Sequence, residues 1–313
     1  ALGAFTFTMT AIPGTPQIQN TIPMAYFGTD TFAAPILGII AALIMLLGGM
    51  FWLTTRLKKA KAAGEGYGDH PNENLADIDI SKLPPFGAAI TPILAVLIVN
   101  LIFSKFVLPG LDTSYLEETY NTNFGAVGGT WALIIALITG IVLTVLFNRS
   151  RFEKGIVESL KEGANSSLLA IMNTASEVGY GNVIKTLPAY ALLAAGLLSI
   201  SSNPLIGEAI ASSVMAGVTG SASGGLSIAL ATFADSFKAA ADASGISYEV
   251  LHRVAAVACG GLDTLPHNGA VITLLMATGM THKECYLNIG MCTVIIPTIA
   301  VIAIIILGSL GVC

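Results

Sequence analysis

An acid, a histidine and an asparagine surround a proline in residues 260–269, GGLDTLPHNG, and apolar residues flank this stretch on both sides. Asp263 and His267 can each take up a proton, and a histidine does so near neutral pH. Ionisable side chains are costly to bury in an apolar membrane segment and usually have a function there. We therefore predict Asp263 and His267 as proton-coupling residues and Asn268 as a substrate ligand. The alternative is a histidine that is only hydrogen-bonded in a polar loop.

Pro266 makes this segment a predicted break in a helix. Proline supplies no backbone N–H and disfavours a helical conformation at the residue before it. A break leaves N–H and C=O groups that lipid cannot satisfy, so it is tolerated only inside protein or beside a wet cavity. Thr264, two residues before the proline, joins the predicted substrate ligands.

A second polar interruption, TGSASGG at 219–225, is made almost entirely of glycine, serine and threonine. Hydroxyl groups can both donate to and accept from a carboxylate, and glycines allow the backbone to approach a ligand closely. The amides at the start of the following helix would attract an anion. We predict a hairpin tip with Ser221, Ser223 and Gly224 at the substrate. The alternative is close helix packing through small residues.

The N-terminal stretch TAIPGTPQIQN, residues 10–20, resembles the 264–268 segment, because each has a threonine, then apolar residues and a proline. Matched interrupted helices in two halves of a chain indicate a secondary transporter built from inverted repeats. Thr10, Thr15 and Gln17 are therefore predicted substrate ligands, with ordinary helix capping and packing as the alternative.

A further interruption is predicted at NTASEVGYGN, residues 173–182, ahead of Pro188. Its acid, Glu177, is the third candidate for proton coupling. The sequence leaves open whether 165–202 is one kinked span or a span followed by a half-helix.

The composition identifies an integral membrane protein. The 313 residues are 54% hydrophobic and 11% charged, whereas soluble domains carry about 25% charged residues. The chain has no basic cluster with interleaved aromatic residues, so we expect no nucleic-acid partner. The four cysteines show no metal-binding spacing, so we expect no metal and no cofactor. The chain begins without a methionine, within an apolar run, and we expect an N-terminal portion to be missing.

The arrangement of spans and charges predicts an orientation. Nine of the 14 Lys and Arg residues fall in 55–85 and 148–163, whereas all the charged residues of 107–123 are acidic. We therefore predict that the two basic loops are cytoplasmic. In 149–162 the apolar residues Phe152, Ile156 and Leu160 recur every four positions with charged residues elsewhere, which predicts a short amphipathic helix at the cytoplasmic interface. Apolar stretches long enough to span a bilayer occur at 32–54, 86–106, 124–147 and 287–310.

Together these features predict an all-α, polytopic inverted-repeat transporter with re-entrant hairpins and broken helices. We assign 1–54 to the end of the first repeat and 55–85 to a cytoplasmic linker. We assign 86–313 to the second repeat. The lipid bilayer is the expected environment.

Four segments resemble the gluconate:proton symporter (GntP) family of bacterial permeases, within the ion transporter superfamily: ALGAFTFTMTAIPGTPQIQN, AGEGYG, VTGSASGGL and CGGLDTLPHNGAVITLL. The resemblance runs through essentially the whole chain and is most specific at 259–275. It implies proton-coupled uptake of small hydroxylated monocarboxylates by an elevator-like movement. It also implies a longer protein, a bacterial inner-membrane location and a homodimer.

One departure from that family concerns the substrate. The gluconate permeases have the acid after the histidine in a Ser-His-x-Asn-Asp loop, whereas here Asp263 precedes His267 and Pro266 lies between them. This order favours a shorter acid, such as 3-hydroxybutyrate, over gluconate.

Three functions are compatible with these residues. The first is a symporter, not an enzyme, that moves a small organic anion together with protons. The second is the same transporter coupled to sodium, because hydroxyls and unwound carbonyls also suit sodium. The third is an intramembrane serine hydrolase that uses Ser223 and His267, although GSASG has alanine at the nucleophile position.

Overall fold

The computed structural model describes residues 10–66, 83–152, 155–188, 192, 196 and 203–313. All the regular structure in these residues is helical, so the all-α prediction is confirmed. We number the helices in chain order: α1 Ile18–Phe27, α2 Pro35–Ala62, α3 Phe86–Ile102, α4 Tyr115–Tyr120, α5 Phe124–Asn148, α6 Ile156–Lys185, α7 Pro204–Thr219, α8 Ala222–Ser244, α9 Tyr248–Leu262, α10 Gly269–Thr278, α11 His282–Gly290 and α12 Ile296–Ser309.

The four predicted spans are confirmed. Long apolar helices occupy Pro35–Ala62, Phe86–Gly110, Val127–Arg151 and His282–Ser309, each of 25 or 28 residues. At 1.5 Å per residue such a helix is about 38–42 Å long, which exceeds the roughly 30 Å hydrocarbon core of a bilayer. The second and fourth spans each contain one π-helical turn, at Phe103–Val107 and Met291–Ile295.

Two of the predicted interruptions are present. Helices α7 and α8 form a hairpin around Gly220, whose φ of +63° ends α7 in a left-handed conformation. Helix α9 ends at Leu262 and α10 begins at Gly269, so the chain breaks around Pro266 as predicted. Residues 10–17 are also non-helical ahead of α1, and the chain before Thr10 lies outside the described residues.

The interruption predicted at 173–182 is wrong, because α6 runs unbroken from Ile156 to Lys185. Its glycines, Gly179 and Gly181, cost only about 1 kcal/mol each in a helix. The helix ends three residues before Pro188, where proline stops it. The predicted interfacial helix at 149–162 is also not separate, because a 3₁₀ turn at Arg149–Arg151 precedes α6, which contains the rest of the segment's described helical residues.

The centre of the molecule is formed by α1, α2, α7, α8, α9 and α12, which share one apolar core that includes Leu37, Leu226 and Leu251. Helices α3 and α5 pack on each other and reach this core mainly through α1. The α7–α8 hairpin is especially tight, since a Cβ on Gly225 would lie 2.1 Å from the backbone nitrogen of Ala216. Such close approach through small residues is typical of membrane helices.

Candidate transport site

The hairpin tip lies directly on the second break. The Nε2 atom of His267 is 2.9 Å from the carbonyl oxygen of Gly217, and the Asn268 side-chain amide donates to the carbonyl of Gly220 at 2.6 Å. A Cβ on Gly220 would meet the His267 ring at 3.2 Å, so the tip and the break are in van der Waals contact. The structure thus brings together two of the four polar segments found in the sequence.

Asn268 joins the two halves of the broken helix. Its Nδ2 donates to the carbonyl of Asp263 at 2.5 Å, and its Oδ1 accepts the amide of Val271 at 3.0 Å. The second bond satisfies one of the free amides in the first turn of α10, which is the role of an N-cap. Asn268 therefore fixes the start of α10 beside the hairpin tip.

Ser221 caps the other helix that begins here, α8. Its Oγ accepts the Gly224 amide at 3.1 Å and lies 3.4 Å from the Ser223 Oγ. The amide of Gly224 is thus already bonded, and the amides of Ala222 and Ser223 are those in this turn without an intrahelical acceptor. Ser221 and Ser223 are half-buried at the tip.

Asp263 directly follows the last residue of α9, Leu262, as its C-cap, and its side chain is almost fully enclosed, at 6% exposure. Its Oδ1 has no hydrogen-bond partner within the described part of the chain. The C-terminal end of a helix carries partial negative charge, which disfavours an ionised carboxylate at this position. Asp263 is therefore a candidate for binding a proton or a cation.

Thr264 is held by the last span. Its hydroxyl is 2.6 Å from the Thr293 hydroxyl, and its carbonyl accepts a bond of 3.3 Å from the Tyr286 hydroxyl. His282 Nε2 lies 2.9 Å from the Pro266 carbonyl. The carbonyl groups freed by the break are thus partly satisfied by side chains of α11.

The first break is held by Arg253 on α9. This side chain is 0% exposed, whereas an arginine near an apolar segment more often extends to the membrane interface. Its guanidinium donates to the carbonyls of Thr10 at 3.3 Å and Ala11 at 3.2 Å, and to that of Ala33 at 2.7 and 3.0 Å. Arginine can do this because its five donors are spread over a rigid plane.

A layer of polar side chains surrounds this contact. Asn20 donates to the carbonyls of Thr15 at 2.9 Å and Thr31 at 3.0 Å, and its Oδ1 is 3.2 Å from His252 Nε2. Asn100 of α3 donates to the Thr31 hydroxyl at 2.7 Å. His252 and Asn100 were not among the residues predicted from the sequence, although an asparagine within an otherwise apolar span is a signal that could have indicated the second of them.

The remaining predicted residues lie away from the tip. Arg253 precedes Asp263 by ten residues, so the first break meets α9 about 15 Å along the helix from the second break. Thr15 Oγ1 and Gln17 Oε1 are buried there without a hydrogen-bond partner among the described residues. Glu177 is part of α6, but its side chain lies outside the described residues.

Comparison with known proteins supports the membrane assignment. No protein-family model matches the sequence, and no solved structure matches it, so the resemblance to the gluconate symporters stays a prediction. The chain is 44% identical over 326 residues to a Bacillus subtilis (strain 168) protein described as the uncharacterized transporter YxjC. The alignment covers 99% of this chain and 68% of the relative. The chain therefore belongs to the family of this B. subtilis protein, and it is a membrane transporter.

Proposed function

We propose that this transporter imports a small hydroxylated monocarboxylate, of the gluconate or 3-hydroxybutyrate type, by proton symport across the bacterial inner membrane. The observation that carries the proposal is the contact between Gly220 and Asn268. It brings the N-terminal ends of two helices, α8 and α10, to the same point, next to the buried Asp263.

Two helix N-termini suit a substrate with one carboxylate. Each N-terminus carries partial positive charge and free amides that bind anions, so the site attracts an anion without a basic side chain. The hydroxyls of Ser221 and Ser223 add groups that can bond either the carboxylate or the substrate hydroxyl. Thr264 and Asn268 shape the opposite side of the site, at the break.

Asp263 is the residue we assign to the coupling proton. An ionised Asp263 would add negative charge beside an incoming anion, whereas a protonated one would not. Proton uptake at Asp263 therefore favours substrate binding, which is the requirement for symport. His267 is the second candidate, but it is exposed, and its Nε2 bonds the Gly217 carbonyl.

Sodium coupling is the alternative. The paired hydroxyls of Thr264 and Thr293, together with Asp263 and the carbonyls of the break, are oxygen ligands of the kind that sodium takes in such transporters. No comparable observation favours the serine hydrolase, because the His267 nitrogen that would act as base bonds Gly217, and Ser223 Oγ contacts Ser221.

Uptake into proteoliposomes tests the proposal. Labelled gluconate and 3-hydroxybutyrate are offered with an inward proton gradient, with no gradient, and with sodium replaced by choline. We expect accumulation that requires the proton gradient and continues unchanged when choline replaces sodium. Uptake of both acids that is independent of the proton gradient would refute proton symport, and loss of uptake in choline would establish the sodium alternative.

The variant Asp263→Asn separates coupling from binding. It keeps the shape of the side chain but cannot exchange a proton, so we expect gradient-driven accumulation to fall at least about tenfold for a gradient of one pH unit. Exchange of labelled for unlabelled substrate should continue. The matched control is Glu158→Gln, which alters an exposed carboxylate at the start of α6. Unchanged accumulation by Asp263→Asn would show that Asp263 does not bind the coupling proton, and the assignment would then pass to His267.

A further inference from the structure

A second acid is buried within the hairpin. Glu208 of α7 is 0% exposed, and neither of its carboxylate oxygens has a hydrogen-bond partner in the described part of the chain. Ser212, one turn further along α7, is also 0% exposed, and its hydroxyl is equally without a described partner. The transport site described above uses neither residue.

These two side chains point towards α8. Ala216 of α7 is the residue that touches Gly225 of α8, because a Cβ on that glycine would overlap the Ala216 backbone. Residues four apart lie on the same face of a helix, so Glu208, Ser212 and Ala216 form one row. The row faces the interior of the hairpin.

The charged groups on the elements packed against α7 are engaged elsewhere. On α8, Asp235 pairs with Lys238 at 2.9 Å and has a 96% exposed side chain, and Asp242 accepts a bond from Tyr248. Helix α12 contains no charged residue, and the sequence contains none between Lys185 and Glu208. The ionisable groups of α9 bond to other partners: Glu249 to Ala34, His252 to Asn20, Arg253 to the first break, and Cys259 to Ala256.

An ionised carboxylate without a partner is very costly in apolar surroundings. Glu208 is therefore neutral, and carries a proton, whenever the hairpin is packed as in this structure. It lies five residues, or about 8 Å, after Asn203, the residue that precedes α7 and donates a hydrogen bond to Ser309 at the end of the last span. A modest movement of the hairpin would expose Glu208 to water at that end of the bundle.

Glu208 and Asp263 lie at different depths. Gly217 of α7 packs against Leu262 of α9, and Glu208 precedes Gly217 by nine residues. The two acids are therefore separated by about 14 Å along the bundle. At that separation either Glu208 or Asp263 can be protonated from water while the other carboxyl group is covered by protein.

From this geometry we propose that Glu208 is a second proton-binding site, which takes up and releases a proton as the hairpin moves. The inference rests on the proposed proton symport, in which Asp263 binds the first proton. With both sites in use, each cycle carries two protons with one monocarboxylate. Ser212 provides a hydroxyl towards the tip that can bond the protonated carboxyl when the side chain turns.

The accumulation ratio at zero membrane potential tests this stoichiometry. A gradient of one pH unit supports about tenfold accumulation of substrate for each symported proton. We expect the wild type to approach about 100-fold for labelled 3-hydroxybutyrate or gluconate, and Glu208→Gln to reach only about tenfold. Exchange of labelled for unlabelled substrate by Glu208→Gln should persist, which shows that the variant is folded. An unchanged ratio in Glu208→Gln would overturn the proposal.

A second measurement uses the wild-type protein and needs no substrate. Dicyclohexylcarbodiimide modifies protonated carboxyl groups in apolar surroundings, and peptide mass spectrometry locates the adduct. We expect modification of Glu208 that decreases as the pH is raised, and none of the exposed Glu158. Absence of the adduct at Glu208, or an adduct that is independent of pH, would overturn the proposal. If neither gluconate nor 3-hydroxybutyrate is transported, the proposed function fails. The labelling experiment still decides whether Glu208 binds a proton.

Discussion

Replacement of Arg253 by lysine tests how strongly the first break depends on one side chain. The guanidinium makes six hydrogen bonds, to the carbonyls of Thr10, Ala11, Thr31 and Ala33 and to the side chain of Asn20. These are five acceptor atoms, because Ala33 accepts twice. The Thr31 carbonyl also accepts the Gly14 amide, and Asn20 Oδ1 also lies against His252 Nε2, so among the described residues the carbonyls of Thr10, Ala11 and Ala33 depend on Arg253. A lysine ammonium has three donors and can replace at most three of the six hydrogen bonds.

The expected loss of stability follows from that count. A hydrogen bond contributes about 0.5–1.5 kcal/mol net, so the loss of at least three bonds lowers the stability of Arg253→Lys by roughly 1.5 kcal/mol or more. Truncation to methionine would leave the three carbonyls of Thr10, Ala11 and Ala33 unpaired and would cost about 3–9 kcal/mol, which is a large share of the stability of a typical protein. Lysine is therefore the informative substitution, since its protein should still be produced.

Thermal unfolding of the purified protein in detergent measures the effect. Arg151→Lys is the matched control, because Arg151 is exposed in a 3₁₀ turn and such a surface change stays within about 0.5 kcal/mol. We expect a clearly lower unfolding temperature for Arg253→Lys than for both the control and the wild type. Equal unfolding temperatures for the three proteins would refute the reasoning that Arg253 holds the first break.

Three further substitutions probe the packing around the site. Gly225→Ala forces a methyl group into the Ala216 backbone and should lower the stability measured by thermal unfolding by about 1–3 kcal/mol or more. The control, Gly163→Ala on the open surface of α6, should stabilise the protein by up to about 1 kcal/mol, and equal effects of the two substitutions would contradict the close hairpin contact. Asn268→Ala removes the bond between tip and break, so the KM for the labelled acid should rise about tenfold for a loss of about 1.4 kcal/mol, and an unchanged KM would show that this bond does not shape the site. Asn100→Ala leaves the Thr31 hydroxyl unpaired and should lower the unfolding temperature by the equivalent of about 1–3 kcal/mol, with Asn165→Ala on the exposed surface of α6 as the control.

The spans, the hairpin and the second break could be predicted because each depends on local chemistry. Apolar length alone identifies a spanning helix, and Gly220 and Pro266 mark the points where helical geometry stops. Glycine was a poorer guide at 173–182, because a helix tolerates Gly179 and Gly181 when no proline accompanies them. The second break contains Pro266, which lacks a backbone N–H, whereas 173–182 contains no proline and stays helical.

The environment of Arg253 could not be read from the sequence. Its acceptors, Ala33 and Ala11 among them, are more than 200 positions away along the chain and are backbone carbonyls, which leave no mark in the residue types. Near an apolar segment, an arginine more often extends towards the interface, and no residue type around Arg253 indicates a different arrangement. Contacts of this kind depend on how the helices are arranged in space.

The bonds of Arg253 make α9 and the first break one mechanical unit. Among the described residues, the polar contacts between this unit and the α3–α5 side of the bundle include the Asn100 bonds and the ion pair between Lys105 and Asp30, 2.8 Å long. The boundary also includes Gly125 and Gly129, which present backbone to the 28–30 turn. Backbone surfaces at glycines interlock less than long side chains do, so this boundary should resist sliding less than the side-chain-packed core around Leu37 and Leu226.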